Sequence, residues 1–294
     1  MVGSMTVTLN PSFDIACACC DSGLAQLDVA SDEWRFFRCR HCGYWTARTV
    51  EGKWPTAHYD DTPTFDYKPE DNWSQIVRQG MTILARKFDL SNKAAGVFLD
   101  VGSSEGVYLE AARQLGWYSV GVEIDQPKVL RSREKGLHVV SRFEDVSVRA
   151  DFILMRHVIE HVAEVGGFIR QAAKLLNENG NLCIEVPNQS SVTSLLSRRR
   201  LRGGRFLGEL YPPTHIHAFE KRALAALGRK CELQTTRIVT YSRADRTWFL
   251  PSQRRGSALR RIAQRSFAGL GHGGNIAAFY SRQVNSPEFR RAER

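Results

Sequence analysis

The stretch that most constrains the fold of this chain is a short apolar run followed by a glycine-containing turn, VFLDVGSSEG at 97–106. The run has the length of a buried parallel strand, and residues 107–115 then predict a helix. A second apolar run, 118–122, ends on the acidic Glu123. Glycines let backbone approach a ligand, and a helix N-terminus offers unpaired N–H groups. Because a carboxylate at a neighbouring strand tip can accept hydrogen bonds from ribose hydroxyls, the pattern predicts a nucleotide-type site.

The residue at the start of the turn indicates which kind of ligand this site takes. Asp100 stands where the dinucleotide fingerprint Gly-x-Gly-x-x-Gly has its first glycine. A carboxylate there would repel a pyrophosphate and would help to hold a ligand that carries an ammonium group. The segment resembles motif I of class I S-adenosylmethionine-dependent methyltransferases, whose cofactor carries an ammonium, a sulfonium and a ribose. The alternative is an ordinary strand–turn–helix whose glycines serve packing, and the placement of Glu123 argues against it.

Motifs further along the chain extend the resemblance over residues 95–240. The segment RHVIEHV at 156–162 follows a predicted strand and looks like the "hvlEHv" signature of one large methyltransferase group. A predicted helix, an Asn-Gly turn at 179–180 and a strand closed by Pro-Asn at 187–188 repeat that group's order. The segment PPTHIHAF at 212–219 resembles its "pHl-x-x-f" element.

The resemblance implies an α/β fold, the Rossmann-like class I methyltransferase sheet, mostly parallel with an antiparallel last strand. It also implies S-adenosyl-L-methionine as the cofactor. Phe143 and Glu144 lie where the adenine ring docks in the family, and Tyr59 belongs to a segment that often folds over the cofactor. The residues that the motifs assign to cofactor binding are Asp100, Gly102, Ser103, Gly106, Glu123, Ile124, Phe143, Glu144, Arg156 and Tyr59.

Four of the seven cysteines mark a second module. Cys17 and Cys20 form one Cys-x-x-Cys pair, Cys39 and Cys42 form another, and 18 residues separate the pairs. This spacing is typical of a tetrahedral zinc site. Four thiolates fill the coordination shell, so the ion is predicted to be structural rather than catalytic. Cys19 and His41 are alternative ligands.

These motifs predict a succession of segments along the chain. Residues 1–52 form a small zinc-ribbon-like lobe, and residues 53–94 form a linker and an amphipathic lid helix. Residues 95–284 form the methyltransferase domain with basic substrate-capping insertions at 189–214 and 242–272, and residues 285–294 form a tail. The chain has no basic-then-apolar leader, and no apolar run approaches the ~20 residues that cross a bilayer. We therefore expect a cytoplasmic protein without a transmembrane segment.

The net positive charge of the chain lies in its C-terminal third. From residue 189 onward there are 21 Lys and Arg against 6 Asp and Glu, within a chain of net charge +10. Arginine clusters suit a phosphate-bearing small molecule, an RNA backbone or an anionic membrane surface, and a solvated face without a partner is the plain alternative. No row of aromatic residues interleaves the arginines as in single-strand binding surfaces. We rank an anionic small-molecule or glycan acceptor above nucleic acid.

Methyl transfer to a hydroxyl needs a base, and histidine suits that role at neutral pH. His215 is the first candidate because its segment lies between a basic insertion and the next predicted helix. His157 is the second, while His161 with Glu160 is read as a brace. No Asn-Pro-Pro-Tyr motif is present, which favours oxygen over an exocyclic nitrogen as acceptor. An RNA methyltransferase is the alternative enzyme, and a methyltransferase-like binding scaffold is the alternative outside enzymes.

Overall fold

A computed structural model of the protein describes residues 15–27, 31–54, 72–92, 95–200, 207–241 and 271–282. Within these ranges, six α-helices are α1 (Trp73–Lys87), α2 (Val107–Gln114), α3 (Gln126–Glu134), α4 (Val165–Lys174), α5 (Val192–Arg200) and α6 (Lys221–Lys230). The strands of the same ranges are β1 (Ala25–Gln26), β2 (Trp34–Arg38), β3 (Trp45–Thr49), β4 (Val97–Val101), β5 (Tyr118–Val122), β6 (Val139–Val140), β7 (Ala150–Arg156), β8 (Leu176–Pro187), β9 (His217–Ala218), β10 (Leu233–Tyr241) and β11 (Asn275–Arg282).

Seven strands form the central sheet in the order β10-β11-β8-β7-β4-β5-β6. Strands β4 to β8 pair in parallel, whereas β11 runs antiparallel between β8 and β10. The predicted mostly parallel sheet with an antiparallel last strand is confirmed. The chain goes from β4 outward to β5 and β6 and then returns to the other side of β4 with β7. Ligands bind beyond the carboxyl ends of the strands at such a switch point, which here lies between β4 and β7.

Apolar side chains on both faces of the sheet explain why its strands read as continuous apolar runs. One face packs against α4 and α6 through residues such as Ile153 and Leu227, and the other faces α1 and α2. The N-terminus of α1 is capped by Asn72, whose side chain accepts the backbone N–H of Gln75 at 3.0 Å. The predicted amphipathic helix therefore exists, and Ile76 packs with Val107 of α2; its role as a lid stays a prediction.

Two boundaries differ from the sequence-based expectation. The run LHVV at 137–140 predicts a third strand after those at 97–101 and 118–122, but only the two residues of β6 form one. The strand predicted over 181–186 begins earlier, at Leu176, and runs through the predicted Asn-Gly turn at 179–180. Its pairing with β7 is irregular at that point, since Ala150 pairs with Leu176 and Phe152 pairs with Asn181. The residues that the sequence indicates as a turn therefore form an irregularity in the pairing of β7 with β8.

A second, four-stranded sheet has the order β1-β2-β3-β9. Strands β1 to β3 come from the N-terminal lobe, but β9 belongs to the methyltransferase segment, and Trp45 and Thr46 pair with Ala218 and His217. The sheet therefore crosses the predicted boundary at residue 52, and the division into domains stays a prediction.

Several predicted features lie outside the described residues. They include Tyr59 and most of the linker, the second basic insertion except its last residues, and the tail 285–294. The first insertion is described except for residues 201–206, with only the backbone of 197–200. Among the helices that the structure describes, none has the length and apolar character needed to cross a membrane.

Candidate functional site

The turn after β4 has a backbone conformation that requires glycine. Gly102 has φ +74°, and a Cβ atom at this position would lie 2.5 Å from Cγ2 of Val158. Gly106, at the N-cap of α2, has φ +81°. The turn thus packs directly against the segment that follows β7, as expected at the switch point.

Glu123 closes this turn from the end of β5. Its Oε2 accepts the backbone N–H of Ser104 at 2.8 Å, and its Oε1 accepts that of Asp125 at 2.9 Å. Each carboxylate oxygen has two lone pairs, so each can accept one further hydrogen bond. The sequence places Ile124 next, and its side chain is 61% exposed, which leaves an apolar surface beside the carboxylate.

Two polar side chains are buried behind the turn. Burial, together with the nearby charge of Glu123, raises the pKa of Asp100 to about 8, although Arg156 opposes the shift. The hydroxyl of Ser103 is buried and has no hydrogen-bond partner in the described structure. A Cβ at Gly121 of β5 would lie 2.6 Å from this hydroxyl, so the orphan group sits between the tips of β4 and β5. An unpaired buried hydroxyl is costly unless a ligand satisfies it.

The predicted adenine-docking residues lie in a short 3-10 turn, Phe143–Asp145. The ring of Phe143 is half-buried and meets Phe168 of α4 edge-on at a centroid distance of 5.0 Å. Glu144 is exposed. Their roles in cofactor binding stay predictions.

Arg156 at the end of β7 is held by protein groups. Its Nε donates to Glu185 Oε1 at 2.7 Å, and its Nη1 donates to the hydroxyl of Tyr108. Glu185 lies on the neighbouring strand β8 directly opposite Arg156. This buried ion pair orients both side chains, and cofactor contact by Arg156 stays a prediction.

His157 lies between two buried carboxylates that favour its protonated form. It has a left-handed backbone, with φ +55°. Its Nδ1 lies 3.2 Å from Glu160 Oε1, and its Nε2 lies 3.4 Å from Glu185 Oε1 and 3.1 Å from the Asn275 amide. Burial works against the charge, but the hydrogen bonds to the two carboxylates outweigh it and raise the pKa of His157 to about 9. A protonated ring cannot accept the acceptor's proton, which argues against the predicted base role of His157.

His215 is neutral, in contrast. Burial lowers its pKa to about 4. Its Nδ1 lies 3.0 Å from the carbonyl of Glu209, and its Nε2 lies 2.8 Å from the hydroxyl of Tyr211, on which the ring stacks. Since a carbonyl only accepts, Nδ1 carries the proton and Nε2 carries the lone pair. The ring of His161 meets His215 edge-on at 4.8 Å between centroids.

Sequence reasoning missed the group formed by Glu160, His161 and His215, whose side-chain ligand atoms lie within 4.8 Å of one another. The sequence predicts that His161 and Glu160 together cap or brace this turn; in the structure Glu160 bonds to His157, and His161 bonds to the carbonyl of Thr214. Despite burial, this hydrogen bond and neighbouring positive charge lower the pKa of Glu160 to about 2. The sequence signal for this group was the Glu160-His161 pair followed later in the chain by His215-x-His217.

The four predicted zinc ligands come together in the N-terminal lobe. The Sγ atoms of Cys17 and Cys42 are 3.5 Å apart, as are those of Cys20 and Cys39, and all four lie within 4.8 Å of one another. A tetrahedral zinc with Zn–S bonds of about 2.3 Å places sulfurs about 3.8 Å apart, so the donor set fits this ion. The two alternative candidates differ: the buried Cys19 thiol lies against Cys17 and Cys42, with its backbone N–H on the Cys17 sulfur, whereas His41 is exposed.

The sheet order, the glycine turn after β4 and the acidic residue after β5 define the class I methyltransferase fold. The chain belongs to the methyltransferase-domain family, whose model matches residues 74–237.

Curated relatives and a solved structure agree with this assignment. A ubiquinone biosynthesis O-methyltransferase of Azorhizobium caulinodans is 30% identical over 102 residues, 31% of this chain and 40% of the relative. One of Nitrobacter winogradskyi is 32% identical over 119 residues, 36% and 46% of the two chains. The chain thus spans less than half the length of these relatives. The CcbJ methyltransferase of Streptomyces caelestis superposes with a TM-score of 0.50 over 74% of this chain and 100% of its own at 15% identity, a likeness of fold.

Proposed function

We propose that this protein is an S-adenosylmethionine-dependent methyltransferase that methylates an oxygen of a small-molecule, sugar or glycan acceptor. The observation that carries the proposal is the glycine turn closed by Glu123 beside the unpartnered hydroxyl of Ser103. The relatives named as O-methyltransferases support oxygen as the acceptor atom.

The chain's own residues supply a fitting cradle for the cofactor. Glu123 is fixed by two backbone N–H groups and keeps lone pairs for hydroxyl donors. The Ser103 hydroxyl gains a partner when a polar group enters between β4 and β5. When bound, S-adenosylmethionine supplies a methyl group on a sulfonium, which is transferred in line to a nucleophile. The protein then has chiefly to align the nucleophile and exclude water.

We assign the acceptor side of the site to the segment that follows β7 and to the segment around His215. The contact of Gly102 with Val158 brings the first of these segments against the cofactor turn. An acceptor hydroxyl must lose its proton as the C–O bond forms. His157 is already protonated, so we assign deprotonation to the cluster of Glu160, His161 and His215, in which His215 has a neutral ring.

We further propose that the four cysteines hold a structural zinc ion. Four sulfurs leave no open coordination position, so these residues anchor the lobe and take no part in methyl transfer. The anionic character of the acceptor is proposed from the arginine surplus of the C-terminal third alone, since a guanidinium matches phosphate and carboxylate geometry.

The test is transfer of labelled methyl from S-adenosylmethionine into fractionated host extract, with binding measured by calorimetry. Glu123→Ala serves as the blank, and Glu110→Ala, which removes a half-buried acid of α2 bonded to the exposed Arg113, is its matched control. Because hydrogen bonds to a charged group contribute about 1.5–3 kcal/mol, Glu123→Ala should weaken cofactor binding about 10- to 100-fold. The control should bind like the unaltered protein.

The distribution of the label decides among the alternatives. Label in the small-molecule or glycan fraction supports the proposal. Label in RNA replaces it with the RNA methyltransferase reading. Absence of both label and cofactor binding would establish the binding scaffold instead.

A further inference from the structure

We propose that Glu160, His161 and His215 form a second metal site, distinct from the cysteine cluster, for a borderline divalent cation of the zinc type. The three residues come from two segments that meet beyond the sheet. Glu160 and His161 follow β7, and the 215–217 segment is held against them by hydrogen bonds from the backbone N–H groups of Ile216 and His217 to the carbonyl of Glu160.

The carboxylate of Glu160 provides the first ligand atom. The side chain is 1% exposed, and its Oε2 has no hydrogen-bond partner in the described structure. Its Oε1 is already engaged with His157. A buried carboxylate oxygen without a donor is costly, and a cation is the partner that would satisfy it best.

Both imidazoles present their Nε2 atoms as the other two ligands. His161 Nδ1 lies 2.7 Å from the carbonyl of Thr214, and His215 Nδ1 lies 3.0 Å from that of Glu209. Each ring therefore donates its Nδ1–H to backbone and keeps its lone pair on Nε2. Metal-binding histidines are held in this way, with the second nitrogen donating to a carbonyl or carboxylate.

The donor set favours zinc-type ions over magnesium. Imidazole suits Zn²⁺, Fe²⁺ and Ni²⁺, whereas Mg²⁺ takes oxygen ligands in a near-ideal octahedron. Ligands of one tetrahedral ion lie about 3.3 Å apart. The three ligand atoms lie within 4.8 Å of one another, so small side-chain rotations bring them to that geometry. The hydroxyl of Tyr211 now donates to His215 Nε2, and an ion displaces that hydrogen bond.

Three protein ligands leave a coordination position for an acceptor oxygen, which is the pattern of a catalytic rather than a structural zinc site. This role rests on the proposed function, whereas ion binding does not. An ion there lowers the pKa of the acceptor hydroxyl, whose proton passes to water. The acceptor oxygen then forms its bond to the methyl carbon as the carbon–sulfur bond of the sulfonium breaks. His215 acts in this case as a ligand and not as the base.

The experiment measures metal content of the full-length protein after loading with Zn²⁺ or Co²⁺ and dialysis. We expect two equivalents in the unaltered protein and one in Glu160→Gln and in His161→Ala. His138→Ala, which removes an exposed histidine bonded to Tyr118, should keep both. Tyr211→Phe should also keep both, because it removes a competitor for Nε2 and no ligand.

Cobalt spectra identify which ion is lost. Thiolate-to-cobalt charge-transfer bands report the cysteine cluster and should persist in the two ligand variants, which also shows that the lobe is folded. Two equivalents in Glu160→Gln and His161→Ala, or one in the unaltered protein, would overturn the proposal.

Methyl transfer, measured separately, separates this inference from the proposed function. We expect Glu160→Gln to lower transfer at least about 10-fold while cofactor binding is unchanged, as the ion is held on the acceptor side. Two bound ions without methyl transfer and without cofactor binding would refute the proposed function and leave the site standing. Full transfer by a protein stripped of its second ion would refute the catalytic role of the ion.

Discussion

The hydroxyl of Tyr44 lies 2.6 Å from Nδ1 of His217 and links the cysteine-rich lobe to the segment that carries His215. The Nε2 of His217 lies 2.9 Å from the carbonyl of Val162, so Nε2 carries the proton and Tyr44 is the donor. Both side chains are buried, and burial lowers the pKa of His217 to about 3. The lobe thus fixes the neutral His217, which lies two residues after His215 of the Glu160, His161 and His215 group.

Removing this hydroxyl should loosen that link. Tyr44→Phe leaves Nδ1 of His217 with the Thr46 hydroxyl alone, 3.1 Å away, and should reduce the free energy of unfolding by about 1–2 kcal/mol. Urea denaturation measures the change. The matched control is Tyr118→Phe, which removes an exposed tyrosine–histidine hydrogen bond of 2.9 Å and should change stability by less than about 0.5 kcal/mol. Equal effects of the two substitutions would contradict the prediction.

A methyl group at the turn after β4 should disrupt the cofactor cradle. Gly102→Ala places a Cβ 2.5 Å from Val158 at a positive φ, whereas Gly116→Ala adds a Cβ at φ +88° with no atom within 4 Å. Both variants carry backbone strain of about 1 kcal/mol, and only Gly102→Ala adds the clash. Calorimetry should therefore find weaker S-adenosylmethionine binding in Gly102→Ala alone. Unchanged binding in both would show that the turn tolerates a side chain.

The buried carboxyl of Asp100 should make stability depend on pH. Its pKa is about 8 in the folded protein and near the ordinary 3.8 in the unfolded chain, so unfolding between these values releases a proton. Stability therefore falls as pH rises from about 4 to about 8, by up to about 1.4 kcal/mol per pH unit from this group.

Asp100→Asn removes that dependence while keeping the size of the side chain. Urea denaturation between pH 5 and pH 8 measures the free energy of unfolding of both proteins. The value for the variant minus that for the unaltered protein should rise steadily over this range. Titrating groups that do not interact with Asp100 are common to both proteins and cancel in the difference. A difference that stays constant with pH would refute the assignment.

Removal of the proposed zinc ion should unfold the cysteine-rich lobe. Cys17→Ser, or treatment with a strong chelator, breaks the four-sulfur cluster, and structural zinc contributes directly to folding. Limited proteolysis should then cut within residues 15–54. Cys231→Ser is the control, because this buried cysteine lies outside the cluster, with its Sγ 3.7 Å from the Gly166 carbonyl. Retained protease resistance of the lobe after metal loss would contradict the prediction.

The parts of the fold that depend on local pattern could be predicted from the sequence. The strands around Asp100 and Glu123 are short apolar runs with polar ends. The two Cys-x-x-Cys pairs indicate a metal site from their spacing alone, whatever the surrounding sequence. The pairing of Trp45 with Ala218 could not, because two-residue strands leave no periodicity and pairing between distant segments has no local signal.

The protonation states of the histidines at the site could not be predicted from the sequence either. His157 and His215 are the same residue type in similar motifs, yet one lies between two carboxylates and the other between a carbonyl and a hydroxyl. Burial lowers the pKa of both rings, and only the two carboxylates beside His157 reverse that effect, an arrangement that only the folded chain brings together.

The pairing of β3 with β9 has a consequence for synthesis on the ribosome. Tyr44 emerges 173 residues before its partner His217. At translation rates of about 5–20 residues per second, the lobe waits roughly 9–35 s for the strand that completes its sheet. During that interval β3 is an open edge, the kind of surface through which nascent chains associate wrongly. The N-terminal lobe is thus made first and finished late, and its exposed edge is where a chaperone would act on the growing chain.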